Sequence, residues 1–507
     1  MLVFSSCHAN VRGDMSAREI HGVGRAANKS THDASQPLGD QAFDRAAGAA
    51  LIAGNRVRIL RDASEHFPAW LDAIHSAQRS VFFDSYIIGA DHVGRDFVMA
   101  LAEKARAGVQ VRLIYDWFGT STSALLFDPL IKAGGEVRVF NPPRFDSLFS
   151  WVTRDHRKMI VVDGRVGYVS GLCASAEWLG DPARGLDAWR DTGVEIRGPA
   201  LAELERAFAE VWEASGGRAI SNTELTPVDS LSAAGNVALR VIASVPNSGG
   251  LFHLDQLIAA GTRERLWLTD AYFVGFTPYV QALCAAARDG VDVRLLVPGA
   301  SDIPIVSGLS RAGYRLLLES GVRIFEWAGS MLHAKTAVAD DRWARVGSTN
   351  LNLASWLSNY ELDVAVEDEN FAREMAAMYV EDLKRSTEIV LGRRARVHAS
   401  AIDVSTGRRR RSLSGSAGRA AAGALSVGAA VGAALTNRRV LGPAEAHLLV
   451  IVAVILLAVA IAAVLWPRLI ALPIAAIAAW LGGVMVIKAR RLRRRRRAVQ
   501  RNVRPNA

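Results

Sequence analysis

The chain has 507 residues, half of them hydrophobic, and a formal net charge of +10. The charge is uneven: residues 401–507 carry 18 Lys and Arg against two acids, which leaves residues 1–400 at −6. A mildly acidic body speaks against a nucleic-acid enzyme, which needs a basic footprint. Three scattered cysteines without C-x-x-C spacing (Cys7, Cys173, Cys284) speak against a disulfide framework or a zinc site.

Residues 1–50 read as a flexible, polar leader in which Met15 is an alternative start; the apolar run Met1–Phe4 is too short for a secretory signal. From residue 51 a pattern begins that later repeats. An apolar helical stretch, Phe97 to Ala105, leads into Arg106-Ala-Gly-Val-Gln-Val-Arg-Leu-Ile. A second stretch, Val280 to Ala287, leads into Arg288-Asp-Gly-Val-Asp-Val-Arg-Leu-Leu. The echo continues in Gly134-Gly-Glu-Val-Arg-Val-Phe and Ser320-Gly-Val-Arg-Ile-Phe. Each half reads strand, helix, strand, helix, strand, then one further strand. This predicts α/β architecture: two pseudo-symmetric lobes of mixed sheet covered by helices. The boundaries expected are 51–215 for the first lobe, 216–245 for a linker and 246–390 for the second lobe.

The last strand of each half carries the same phrase. Residues 156–163 read His-Arg-Lys-Met-Ile-Val-Val-Asp and residues 333–340 read His-Ala-Lys-Thr-Ala-Val-Ala-Asp. Both fit H-x-K-x-x-x-x-D, 177 residues apart. Side chains two apart on a strand share a face, so each His and Lys point the same way. Two histidines facing each other suit a two-step phosphodiester exchange, one as nucleophile and one as acid and base. Lys158 and Lys335 would neutralise the phosphate oxygens, so no metal or other cofactor is needed.

Beyond a basic, then Ala/Gly-rich linker (391–446) come two apolar runs, 447–466 and 469–487, of 20 and 19 residues. Each is long enough for a helix to cross a bilayer core of about 30 Å. Arg438 and Arg439 flank one end and the polybasic tail 488–507 the other, so the positive-inside rule predicts a C-terminal transmembrane hairpin with both flanks cytoplasmic. Residues 420–435, with Ala424, Gly428 and Gly432 at spacing four, suit either a spacer or close helix packing. The aromatic stretch Phe145–Val152 suits either a lipid entrance or ordinary core.

The doubled H-x-K-x-x-x-x-D phrase resembles the phospholipase D superfamily over roughly residues 55–390. Phe82-Phe-Asp-Ser-Tyr-Ile, Trp189-Arg-Asp-Thr-Gly-Val-Glu-Ile-Arg-Gly-Pro, Ala271-Tyr-Phe, His333-Ala-Lys and Gly347-Ser-Thr-Asn-Leu-Asn make the chain similar to bacterial cardiolipin synthases. The resemblance implies a catalytic set of His156, Lys158, Asp163, His333, Lys335 and Asp340, within which the two aspartates are mainly structural. It implies that Asn350, and more weakly Ser348, contact phosphate. It also implies that a carboxylate late in each half orients a histidine: Asp191 in the first half, Glu361 in the second. Cys173 stands where the first half would carry an Asn. The implied activity is phosphatidyl transfer between phosphatidylglycerol molecules through a phosphohistidine, with phospholipids and an anionic membrane surface as partners and the lobes on the cytoplasmic side of a bacterial inner membrane. Hydrolysis to phosphatidic acid, transfer to another alcohol and, more distantly, a nuclease are the alternatives.

Overall fold

The computed structural model describes residues 38–120, 124–143, 153–181, 183, 185–302, 304–391 and 397–399, together with the single positions 457 and 480. The apolar runs of 447–487 (those two positions apart), the segment 420–435, the polybasic tail and Phe145–Val152 lie outside the described residues. Among the described residues, no helix is long and apolar enough to cross a membrane.

The first half runs β1 (Ile52–Arg61), α2 (Asp62–His75), β2 (Ser80–Ser85), α3 (His92–Arg106), β3 (Gln110–Asp116), α4 (Asp128–Lys132), β4 (Glu136–Phe140), β5 (Lys158–Val162), β6 (Val166–Ser170), β7 (Thr192–Arg197) and α5 (Leu201–Ala214), after a leading helix α1 (Leu38–Ala47). The second half runs β8 (Val237–Ser244), α6 (Gly250–Gly261), β9 (Arg265–Thr269), α7 (Thr277–Arg288), β10 (Asp292–Pro298), α8 (Pro304–Glu319), β11 (Arg323–Trp327), β12 (Thr336–Ala339), β13 (Trp343–Gly347), α9 (Leu353–Leu357), β14 (Glu361–Glu367) and α10 (Glu369–Leu383); β15 (Ser386–Leu391) and β16 (Val397–Ala399) follow.

The sixteen strands of the described residues form one sheet. Read outward from its centre, the first half is ordered β1-β7-β6-β5-β2-β3-β4 and the second β8-β14-β13-β12-β9-β10-β11, the same winding twice. Antiparallel pairing of β1 with β8 joins the halves. Buried Asn55 sits at that seam: Nδ2 donates across it to the Val237 carbonyl at 3.4 Å and, within the first half, to the Ile52 carbonyl at 2.8 Å, while Oδ1 accepts from Ala200 N at 2.9 Å. β8 falls within the stretch 216–245 expected as linker. Its central Arg240 is 1% exposed and paired with Asp44 and Glu367. The same pair explains why α1 forms at the end of the expected leader: Asp44 holds Arg240, and Ala47 is buried in the second half's core.

Strand alternation sorts the core. Val81 and Phe83 face the cluster under α2 and α3, whereas Phe82 faces the other way, onto Phe208 of α5 at 4.9 Å. Leu266 and Leu268 face α6 and α7, while Trp267 faces α10 and stacks on Tyr379. The face carrying α5 and α10 is one continuous core containing residues of both halves. The opposite faces form two separate clusters. This shared core fixes the relative position of β5 and β12, which lead out of the site.

Candidate active site

His156 and His333 lie just before β5 and β12, in extended segments that bridge to the opposite half. His156 N donates to the Tyr360 carbonyl at 2.9 Å, and His333 N donates to the Arg190 carbonyl at 2.7 Å. Because Glu361 follows Tyr360 and Asp191 follows Arg190, the bridges bring each histidine to the other half's carboxylate. His156 Nδ1 lies 2.9 Å from Glu361 Oε2, and His333 Nδ1 lies 2.8 Å from Asp191 Oδ2. The sequence left open which histidine each carboxylate serves; the pairing is crossed, Asp191 with His333 and Glu361 with His156. In both pairs Nδ1 faces the carboxylate, so the tautomer that donates to it leaves Nε2 free to react.

The lysines sit beside their histidines. Lys158 Nζ donates to the His156 carbonyl at 2.5 Å. Lys335 Nζ reaches the His333 carbonyl and lies 2.9 Å from His333 Nδ1 and 3.1 Å from Nε2, over the ring's edge. The site is nearly closed: the side chains of His156 and His333 are 12% and 6% exposed, and both carboxylates are fully buried. Tyr86 and Tyr272 wall it, with ring centroids 5.0 Å from His156 and 5.9 Å from His333, and each also lies under its half's lysine. Sequence reasoning quoted both tyrosines within segments that carry the family resemblance but gave them no role.

Electrostatics separates the two pairs. Burial pushes both histidines down, helped by the lysines; His333 falls to about 3 against the pull of Asp191, and His156 lies well below the ordinary imidazole value. Burial also lowers Lys335 to about 8. Burial raises Glu361 to about 7, against the opposing effects of Lys158 and Ser348. Asp191 feels the same burial, but His333, Lys335 and the Trp178 indole N–H outweigh it and hold its carboxyl below its usual range. One carboxylate is firmly ionised and the other is poised near neutrality.

The remaining expected residues divide. Asn350 is buried beside the site, and its Oδ1 has no hydrogen-bond partner. Ser348 faces a carboxylate: its Oγ donates to Glu361 Oε2 at 2.6 Å. Cys173 is buried, and burial pushes its thiol up, so it is a packed, protonated group. Asp163 and Asp340 lie outside the reacting cluster. Each follows the far end of its strand, about 16 Å from the lysine at roughly 3.3 Å per residue. Asp163 accepts from the backbone N–H groups of Gln78, Arg79 and Ser80 at 2.7–2.9 Å. Asp340 accepts from those of Arg263, Glu264 and Arg265 at 2.8–3.0 Å. Both take left-handed φ angles, 57° and 49°, which Asp tolerates better than most residues. They tie the ends of the catalytic strands to the starts of β2 and β9.

Among the described residues no cluster of His, Cys, Asp and Glu has the arrangement of a metal site. The family model described as "Cardiolipin synthase, PLD-like domain" matches residues 70–212 and 254–383, the two stretches that hold this geometry. The chain belongs to this family. It is 32% identical over 336 residues to the cardiolipin synthase of Geobacillus sp. (strain WCH70), covering 66% of this chain and 67% of that one. It is 34% identical over 344 residues to cardiolipin synthase A of Pseudomonas aeruginosa (strain LESB58), covering 66% and 69%. The crystal structure of phosphatidylserine synthase from Haemophilus influenzae Rd KW20 shares the fold, with a TM-score of 0.54 at 13% identity over 69% of this chain and 91% of that one.

Proposed function

We propose that this member of the phospholipase D-like cardiolipin synthase family joins two phosphatidylglycerol molecules into cardiolipin and releases glycerol. The observation that carries the mechanism is the pair of crossed, nearly dehydrated His–carboxylate couples with a lysine beside each. His156 Nε2 attacks phosphorus; the P–O bond to glycerol breaks, and the departing oxygen takes a proton from His333. A hydroxyl of the second phosphatidylglycerol then gives its proton to His333 and attacks the phosphohistidine, breaking the N–P bond. The assignment of His156 as nucleophile and His333 as acid and base rests on the carboxylates. An imidazolium needs a charged partner, and Asp191 is the ionised one. Phosphate charge held between Lys158 and Lys335 would lift His333 so that it carries its proton when needed, and Asn350 would donate to a phosphate oxygen. Burial of both histidines favours transfer over hydrolysis, because water competes poorly in a closed site.

The apolar runs of 447–487, flanked by basic residues, support a C-terminal hairpin that anchors the lobes at the cytoplasmic leaflet, where the polybasic tail is attracted to anionic lipid. The repeat supports lobes at 51–215 and 246–390. The test is purified full-length protein in detergent–phosphatidylglycerol micelles, with products read by mass spectrometry. Cardiolipin and glycerol are expected in equal amounts, undiminished by chelator and lost in His156→Ala and His333→Ala. Phosphatidic acid as the dominant product would make the enzyme a phospholipase, and cleavage of nucleic acid without lipid turnover would overturn the reading.

A further inference from the structure

The two carboxylates behind the histidines are held by different donors, and the difference has a steric cause. In the second half Ser348 Oγ donates to Glu361 Oε2, the oxygen that faces His156 Nδ1. The matching residue in the first half is Gly171, two before Cys173 as Ser348 is two before Asn350. A Cβ at Gly171 would lie 2.2 Å from Asp191 Oδ1, so no serine fits there without displacing the carboxylate. The missing donor comes from elsewhere. Trp178 Nε1 donates at 2.9 Å to Asp191 Oδ2, the oxygen that faces His333 Nδ1.

Trp178 is built into place. It is 1% exposed, its ring stands at 88° to His333 with centroids 5.3 Å apart, and it ends a short helical turn, Ala176–Trp178. Asp91 pins that turn, accepting from Ser175 Oγ and Ala176 N at 2.9 Å with one oxygen while its other oxygen caps α3 through Gly94 N at 3.0 Å. Among the described residues, the one further hydrogen bond to the Asp191 carboxylate, apart from that with His333, comes from Thr192 N to Oδ1 at 2.8 Å.

We propose that Trp178 is a positioning residue for His333: its indole N–H replaces the serine hydroxyl of the other half, fixes the Asp191 carboxylate and limits how strongly that carboxylate holds the His333 proton. The proposal rests on the phosphatidyl-transfer reading above. An N–H bonded to Oδ2 draws charge from the oxygen that His333 uses, so removing it makes Asp191 a stronger acceptor and favours the imidazolium. The charged and titratable groups around this couple are Lys335 just before β12, Lys158 on β5, Asp270 after β9, His156, His66, Cys173, and Arg190 with Asp62 and Asp382 behind it. None of these is altered by a change at residue 178.

Two substitutions separate the ring from the donor. Trp178→Phe keeps an aromatic ring and removes the N–H. Trp178→Gln removes the ring but carries an N–H the same number of bonds from Cβ. In full-length enzyme turning over phosphatidylglycerol micelles, Trp178→Phe is expected to lower kcat about tenfold to a hundredfold with little change in KM. It should also move the alkaline limb of the kcat–pH profile, which reports protonated His333, upward by about half a unit to one unit. Trp178→Gln should leave that limb where it is. Lys335 titrates on the same side, but its neighbours are the same in both variants. If Trp178→Phe fails to fold, benzothienylalanine at 178, which replaces N–H by sulfur in a ring of the same shape, takes its place. An unmoved limb, a downward shift or the same shift in the Gln variant overturns the proposal. A wild-type enzyme without phosphatidyl transfer would instead overturn the reading it rests on.

Discussion

Glu361→Gln tests the crossed pairing most directly, because it places the damage in the half that does not contain the substitution. Glu361 Oε2 accepts from His156 Nδ1 and Ser348 Oγ, while Oε1 accepts from Asn359 Nδ2 at 3.3 Å. A carboxamide cannot satisfy all three donors. If its oxygen takes the Oε2 position, its N–H2 faces the Asn359 amide donor. If it flips, N–H2 faces Nδ1 and forces the proton onto Nε2, the atom that must attack. The first arrangement gives up a charge-assisted hydrogen bond worth about 1.5–3 kcal/mol, roughly 10- to 150-fold in rate. The second selects the wrong tautomer, for which about 10⁴-fold is the precedent. Formation of the phosphatidyl-enzyme, followed by rapid quench, should therefore slow about 10- to 10⁴-fold, according to which arrangement the amide takes. The deficit should shrink as pH falls below about 7, where burial already protonates Glu361 in the native enzyme. A p-nitrophenyl phosphodiester, whose leaving group needs no acid, separates the two couples. It should restore intermediate formation in Asp191→Asn, which disables the acid, and leave Glu361→Gln slow. The opposite pattern would reverse the assigned roles, and near-native rates in both variants would refute the crossed couples altogether.

Two further outcomes are expected. Asp84 and Asp155 are both buried, and among the described residues no donor reaches either oxygen of Asp84; burial and the neighbouring Asp155 hold the Asp84 carboxyl well above its ordinary value, which favours its protonated form. Burial raises Asp155 to about 7 and holds Asp84 well above its ordinary value, so the folded state binds protons more tightly than the unfolded chain. Stability should be fully present below the unfolded carboxyl pKa and decline as pH rises through about 7, whereas Asp84→Asn, whose amide does not titrate, should show a flatter melting temperature against pH. The intact chain should resist carbonate and high-salt washes of membranes, and removal of residues 440–507 should release soluble, folded lobes; release of the intact chain by salt alone would refute the hairpin.

What the sequence made legible was whatever is contiguous along it. His156-Arg-Lys158 and His333-Ala-Lys335 declare a shared strand face within three residues, and the paired Gly-Val echoes expose the repeated winding. The crossing was hidden, because Asp191 and Glu361 each lie downstream of their own half's motif and only the bridges at Arg190 and Tyr360 assign them to the other histidine. The resemblance implied a structural role for Asp163, but its partners were out of view, since its three donors sit more than eighty residues upstream. Trp178 acts across thirteen residues of irregular chain, where no period applies; its trace in the sequence was Gly171 standing opposite Ser348. β8 escaped notice because a buried, doubly paired arginine interrupts its alternation.

The exchange of carboxylates between halves has an ancestral implication. A single half, cut at the β1–β8 seam, would keep its histidine and lysine but lose the group that sets the histidine's tautomer, and its own carboxylate would face nothing. Such a fragment regains both couples only by meeting a second copy about a twofold axis. A one-motif forerunner of this chain would therefore have been an obligate homodimer, inert as a monomer. Fusion of two copies then removed the concentration dependence of assembly and freed each half to diverge, as Cys173 and Asn350, or Trp178 and Ser348, now record.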